Sequence, residues 1–298
     1  MNDQSFFLKI YILRSSNNNY IEKKFIKIKI LKKIGEGSYG VVFLLNNDHV
    51  IKIFKNSTLK NTILTESNYL IPIKNENREL IFYYKYIDEK KENNYIINLY
   101  AIGIIKDIII DNLNNIELNS YFIILPLCTS FYNTYNIFNT ELINKKNGIN
   151  FTLKIMKRII QISEFLETKY NIVNLDFKLN NFMFTNNNNN LDNLIMLDFS
   201  ITKKKTKIKY NIDNKYYIWP KSNNILIENI PPYSTCINGL ELLFGYKSIV
   251  NIRSNNKLEY YLKIIEKKDK NIYNIFLNGL ILKINTENFL KLLNPLII

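Results

Sequence analysis

Asp176-Phe177-Lys178-Leu179-Asn180-Asn181 puts a carboxylate, an ammonium and an amide within six residues. A carboxylate there can orient a hydroxyl and take its proton, a lysine two residues on can neutralise an anionic group in transfer, and an amide oxygen can hold a hard cation. Seventeen residues after Asn181, an apolar run ends in Asp198, a second hard oxygen donor at a strand end. Far upstream lies Gly35-Glu36-Gly37-Ser38-Tyr39-Gly40-Val41-Val42, followed by Lys52 in His49-Val50-Ile51-Lys52. Glycines let a backbone come close to phosphates, and a lysine in an adjacent strand can grip them. Gly35, Gly37, Ser38, Gly40, Val42 and Lys52 are the candidate phosphate-side residues, Asp176 and Lys178 the catalytic ones, and Asn181 and Asp198 the metal ligands. Together they are the parts that moving a phosphoryl group requires.

The elements that must position these residues are legible to different degrees. Alternation at residues 25–30 predicts a strand running into the glycines, and residues 41–45, 50–54 and 121–125 read as further strands. Because the chain after Gly40 continues as a strand and does not open a helix, the dinucleotide-binding reading of the glycines fails; no Gly-Lys-Ser/Thr follows, so a Walker loop fails too. Residues 58–70 read as a helix carrying Glu66, fourteen residues beyond Lys52 and the chosen ion-pair partner for it, with Glu76 and Glu79 as alternatives. Residues 151–168 show apolar positions at helical spacing, and the second half is mainly helical. The expected fold is α+β and bilobal: residues 1–24 an extension of unreadable role, 25–127 a β-rich lobe with one main helix, and 128–298 a larger helical lobe, divided near residues 126–130.

Composition narrows the function classes. The chain of 298 residues is long enough for a sizeable core. Cys128 and Cys236 stand far apart and His49 is the lone histidine, which leaves neither a disulfide framework nor a Cys/His metal site and points to a reducing, cytoplasmic setting. No transmembrane segment is expected, because the most apolar stretch, residues 96–110, is interrupted by Asn98, Lys106 and Asp107. The net charge of +14 would suit nucleic acid, an anionic membrane surface or an acidic protein. Only Arg14, Arg78, Arg158 and Arg253 among the 40 basic residues are arginine, and Asn, Ile and Lys are over-used throughout. Compositional drift thus explains the charge better than a nucleic-acid surface does.

On these motifs the chain resembles eukaryotic-type protein kinases over most of residues 30–245. The short Lys52-to-Glu66 spacing and Asp176-x-Lys178-x-x-Asn181-Phe182-Met183 look most like the casein-kinase-1 and vaccinia-related branch. The compositional bias and Tyr216-Tyr217-Ile218-Trp219-Pro220 are similar to poxvirus serine/threonine kinases of the virion-assembly type. The resemblance implies Mg²⁺·ATP (Mn²⁺ as substitute cation), protein substrates phosphorylated on Ser/Thr with Tyr left open, and a place in host cytoplasm and virions. It also implies that Pro126 offers its C=O to adenine and Cys128 its N–H and C=O, an arrangement in which the N–H that proline lacks is not needed.

Several positions depart from the family pattern. Asn174 and Leu175 stand where His and Arg are usual, Ser200 where Gly is usual, and Trp219-Pro220-Lys221 where Ala-Pro-Glu is usual, with 53 residues after Gly245 suggesting a trimmed end. Leu175 cannot pair with a phosphorylated residue, so activity independent of such phosphorylation is expected. Lys203, Lys204, Lys205, Lys207 and Lys209 are expected beside the substrate, drawing acidic or prephosphorylated proteins. The departures motivate one alternative, a pseudokinase scaffold, but the Lys, Asp and metal-ligand positions that degenerate kinases lose are all filled.

Overall fold

In the computed structural model the described residues are 6–15, 25–37, 40–45, 48–58, 62–64, 70–72, 79–80, 82–83, 95–108, 118, 120–137, 141–185, 190–199, 201–206, 209–210, 225–246, 252 and 257–297. The chain divides into two units, residues 1–93 with 97–128, and residues 94–96 with 129–298.

Alternating apolar residues build the main antiparallel sheet of the first unit. Its strands are β1 (Phe6–Ser15), β2 (Phe25–Ile30), β3 (Lys32–Gly37), β4 (Gly40–Leu44), β5 (His49–Thr58), β8 (Ala101–Ile108) and β9 (Ser120–Pro126), in the order β2-β1-β8-β9-β5-β4-β3. The leading segment thus supplies an interior strand. Residues 25–37, expected as a single strand, form two that lie at opposite edges of the sheet with Leu31 alone between them. A one-residue connection between opposite edges requires the sheet to curl on itself, and Leu31 N–H closes the corner on Leu44 O at 2.8 Å. Leu8, Ile10, Ile30, Val41, Phe43, Ile51, Ile53, Ile105 and Phe122 pack together within it, each burial worth about 2 kcal/mol.

Within residues 58–70, where a helix was expected, the described residues are extended. β5 runs on to Thr58, and β6 (Thr62–Leu64) pairs antiparallel with β7 (Leu70–Pro72). Thr58, Thr62, Ile63 and Ile71 are β-branched, which restricts χ1 in a helix and favours a pleated ladder. The helical residues are instead Glu79, Leu80, Phe82 and Tyr83.

The second unit is mainly helical, with α1 (Phe131–Thr134), α2 (Gly148–Tyr170), α3 (Ile230–Phe244), α4 (Leu258–Lys268), α5 (Lys270–Leu280) and α6 (Thr286–Leu293). α2 has the predicted amphipathic pattern and stops at Asn171, a left-handed residue (φ 54°) whose N–H bonds Leu166 O. In α3 every residue but Tyr233 is buried, the composition of a central helix surrounded by protein, and its two early prolines fall in the first turn, where no intrahelical N–H is required. A Cβ on Gly239 would lie 2.6 Å from Met156 Sδ and 2.9 Å from Phe276, so glycine is what lets α2, α3 and α5 approach. Short strands complete the unit: β10 (Cys128–Ser130), where the chain passes between units, β11 (Ile172–Asn174), β12 (Phe182–Thr185), β13 (Leu194–Met196), β14 (Thr202–Lys204), β15 (Lys209–Tyr210) and β16 (Ile225–Leu226). β12 pairs with β13 and β11 with β14, both antiparallel.

Candidate active site residues

In the first unit the glycine segment forms a hairpin, with Gly35 opposite Val42 and Gly37 opposite Gly40. Gly40 is required by close approach, since a Cβ would meet Ile53 O at 2.6 Å; at Gly37 a Cβ would meet nothing within 4 Å. Ser38 lies outside the described residues. Glu36 accepts hydrogen bonds from Lys33 and, at 2.5 Å, from Lys55 of β5, and Lys55 also bonds Gly37 O at 3.2 Å. These bonds tie the hairpin tip to β5 and lower the Glu36 carboxyl pKa to about 2, the Lys33 bond contributing most.

Register places Val42 opposite Lys52 and Lys52 opposite Ile123, with Val50 opposite Leu125. Strand alternation puts these on the sheet face away from the Val41, Phe43, Ile51 and Ile53 core. The result is an apolar face bearing one ammonium. Lys52 Nζ lies 2.5 Å from Glu79 Oε2, with the side chains 17% and 3% exposed. Glu79, one of the two alternatives, is thus an ion-pair partner of Lys52 in the structure; Glu66, the first choice, lies outside the described residues. Pro126 ends β9, and Cys128, half-buried, directs its thiol to Pro126 O at 3.6 Å.

In the second unit, Asp176 follows β11 and is almost fully buried. Its Oδ2 accepts from Lys178 Nζ at 2.7 Å and from Asn181 Nδ2 at 3.0 Å, while Asn181 Nδ2 also bonds Asp176 O at 2.9 Å. Asp176 Oδ1 is buried and has no hydrogen-bond donor among the described residues. One carboxylate oxygen is thus fixed in place and the other kept available as an acceptor. With its nitrogen committed to Asp176, Asn181 has its amide oxygen left for a cation, and the backbone bond from Leu197 N–H to Asn181 O at 2.8 Å links this loop to the residue before Asp198.

Asp198 has φ 63°, a left-handed conformation that costs a non-glycine residue about 1 kcal/mol or more. Asn174 secures it. Its Nδ2 donates to Asp198 O at 2.9 Å and its Oδ1 accepts from Asp176 N–H at 2.9 Å, so one buried amide bridges both carboxylate-bearing segments. Leu175 packs with Val173, Ile225, Ile227 and Ile230, an apolar seal in the position of the usual arginine.

Three further residues hold the site, and sequence reading passed over them. Asn238 of α3, wholly buried, donates to Phe177 O at 2.7 Å, which pins the loop between Asp176 and Lys178. Arg158 of α2 donates to Leu194 O at 3.1 Å and Asp192 O at 2.6 Å, fixing β13 before Asp198. Glu167, also buried, binds Lys205 Nζ at 2.8 Å. The signal for all three was a polar residue inside an apolar helix face. Lys205 is accordingly an ion-pair member; Lys203 and Lys204 join β11 through the backbone of β14, and the side chains of Lys207 and Lys209 lie outside the described residues.

Among the described residues no group of three or more His, Cys, Asp or Glu is arranged to hold a metal ion. The amide oxygen of Asn181 and the Asp198 carboxylate are donors of the kind that suits Mg²⁺, which is commonly held by one or two protein oxygens with substrate phosphates supplying others. Among the described residues no helix is long and apolar enough to cross a membrane.

The ROP18 kinase domain, solved in complex with AMP-PNP and sucrose, superimposes with a TM-score of 0.62 at 10% identity, over 97% of this chain and 82% of that one. The fold is that of a protein kinase. No family model matches the sequence, and no curated protein matches it either. At 10% identity the shared feature is the fold, so the chemistry must be argued from the residues themselves.

Proposed function

We propose that the chain is an active protein kinase, transferring the γ-phosphate of Mg²⁺·ATP to hydroxyl groups of proteins. The observation that carries this reading is the Asp176 carboxylate, with Oδ2 held by Lys178 and Asn181 and Oδ1 buried and unoccupied by any described donor. A buried acceptor without a donor is costly unless a ligand supplies one, and a substrate hydroxyl does so. Lys178 stands beside that oxygen, where a cation steadies charge on the transferring group. Lys52, held by Glu79, would meet the ATP phosphates, the glycine hairpin would cover them, and Pro126 and Cys128 would meet adenine. Asn181 and Asp198 would hold Mg²⁺, which supplies charge neutralisation when bound. Catalysis is then positioning plus electrostatics.

Ser and Thr are the proposed acceptors, supported by Lys178 two residues after Asp176. Assignment to the poxvirus virion-assembly type, acting in host cytoplasm and virions, rests on the motif and composition resemblance alone. The pseudokinase alternative is disfavoured, because every residue that would touch ATP, metal or hydroxyl is chemically competent. The test is transfer of labelled γ-phosphate from Mg²⁺·ATP to a panel of acidic and basic proteins, followed by phosphoamino-acid analysis. Label on serine and threonine is expected; absence of label on every protein, with ATP bound, would favour the scaffold.

A further inference from the structure

Glu167 lies in α2, 3% exposed, and gathers three partners from three elements. Its Oε1 accepts from Ser163 Oγ at 3.0 Å on its own helix and from Thr286 Oγ1 at the start of α6, and its Oε2 takes Lys205 Nζ at 2.8 Å. Thr286 and Ser163 are themselves buried, so the carboxylate is a fixed, dry acceptor. Lys205 also has Glu228 at 3.9 Å, before α3. Although burial opposes the charge on Lys205, the hydrogen bond it donates to Glu167 and the fields of Glu167, Glu228 and Glu287 raise its pKa above the ordinary lysine value.

Lys205 is the residue after β14. β14 pairs Thr202 with Asn174, Lys203 with Val173 and Lys204 with Ile172; Lys205 N–H bonds Asn171 O at 2.8 Å, and Leu175 N–H bonds Ile201 O at 2.9 Å. The ladder therefore connects the segment leaving Asp198 to the strand that enters Asp176. A kinase with arginine before its catalytic Asp has a cation there that can anchor such a segment through a phosphate; here Leu175 is sealed in an apolar cluster and makes no such anchor.

We infer that the Lys205–Glu167 ion pair is a permanent clamp that fixes β14 on β11 without any phosphorylated residue, making both side chains positioning residues for the phosphoryl transfer proposed above. The inference depends on that function only for its catalytic consequence; the clamp itself has a separate readout. Neither residue touches substrate: they act through the ladder, on Asp176 at one end and Asp198 at the other.

Hydrogen exchange of the full chain, compared with its phosphatase-treated activity, tests this in wild type, Lys205→Met, Lys205→Arg and Glu167→Gln. In Lys205→Met the amides of residues 201–205 and Leu175 lose protection while those of α3 keep it. Its kcat falls roughly tenfold with KM for ATP unchanged, within the range of coupling between contacting residues. Lys205→Arg restores both, and adding Glu167→Gln to Lys205→Met costs little more. Unchanged exchange in Lys205→Met overturns the clamp, whatever the activity. Lost protection with undiminished transfer overturns its positioning role. If wild-type protein transfers no phosphate, the proposed function fails, and exchange alone still decides the clamp.

Discussion

Glu79→Gln removes the charge that holds Lys52 while preserving size and hydrogen-bonding groups. The bond it weakens is 2.5 Å long, between side chains 3% and 17% exposed. A charge-assisted hydrogen bond contributes about 1.5–3 kcal/mol net, and stranding one member of a buried pair costs about 3–5 kcal/mol. Lys52 retains some access to water, so about 2–3 kcal/mol applies, equivalent to roughly 30- to 150-fold in the population with the ammonium in place. Steady-state transfer assays should show kcat/KM falling by that factor in Glu79→Gln, with Glu66→Gln within about twofold of wild type. Combined with Lys52→Met, Glu79→Gln should add almost nothing, because the two residues act as one unit. A Glu79→Gln enzyme within about threefold of wild type, or an equal loss in Glu66→Gln, would refute the assignment.

Asn174→Ala deletes both bonds of the bridging amide and strands the buried Asp176 N–H; chemical denaturation should show a loss of about 2–4 kcal/mol, and a loss below about 0.5 kcal/mol would contradict the bridge. Burial raises the Cys128 thiol to about 11, so at pH 8 about one molecule in a thousand carries the thiolate; Ellman's reagent should react with native protein far more slowly than with unfolded protein, and equal rates would contradict the burial. Because the Glu36 carboxyl is lowered from 4.5 to about 2, its ion pairs stabilise the hairpin fully above pH 4.5 and are lost as pH falls through that window. Carboxyl NMR should show no Glu36 titration between about pH 6 and pH 4 in wild type, and a shift upward in Lys55→Ala.

The reading from sequence succeeded where local pattern and chemistry coincide. The five-residue offset from Asp176 to Asn181 is fixed by a single turn of 3-10 helix, Leu179–Asn181, and the apolar run before Asp198 is β13, so spacing alone located both. Residues 151–168 were legible as a helix because their burial is periodic. Residues 58, 62–64 and 70, extended in the structure, misled because the scattered apolar positions of that stretch also fit a helix, while β-branched residues that favour extended structure are a weaker signal. Glu66 was the first choice for the ion pair because it fell on that expected helix, whereas Glu79, the alternative, is the partner among the described residues. Asn174 stood out as a departure from the usual histidine, and its amide can donate and accept at once, which is what a bridge between two backbone segments needs. Glu167 and Asn238 were invisible as partners of the site because what gives them meaning, Lys205 and Phe177 O, lies 38 and 61 residues away.

The central claim is that Asp176 is the group that receives the substrate hydroxyl. Asp176→Asn keeps the side-chain shape and replaces a buried carboxylate with an amide, so single-turnover γ-phosphate transfer from Mg²⁺·ATP, with nucleotide affinity measured alongside, isolates the chemical step. Transfer should fall by about 100- to 10,000-fold, as expected for a positioned acid–base group, with ATP affinity nearly unchanged. Transfer by Asp176→Asn at the wild-type rate would contradict the account.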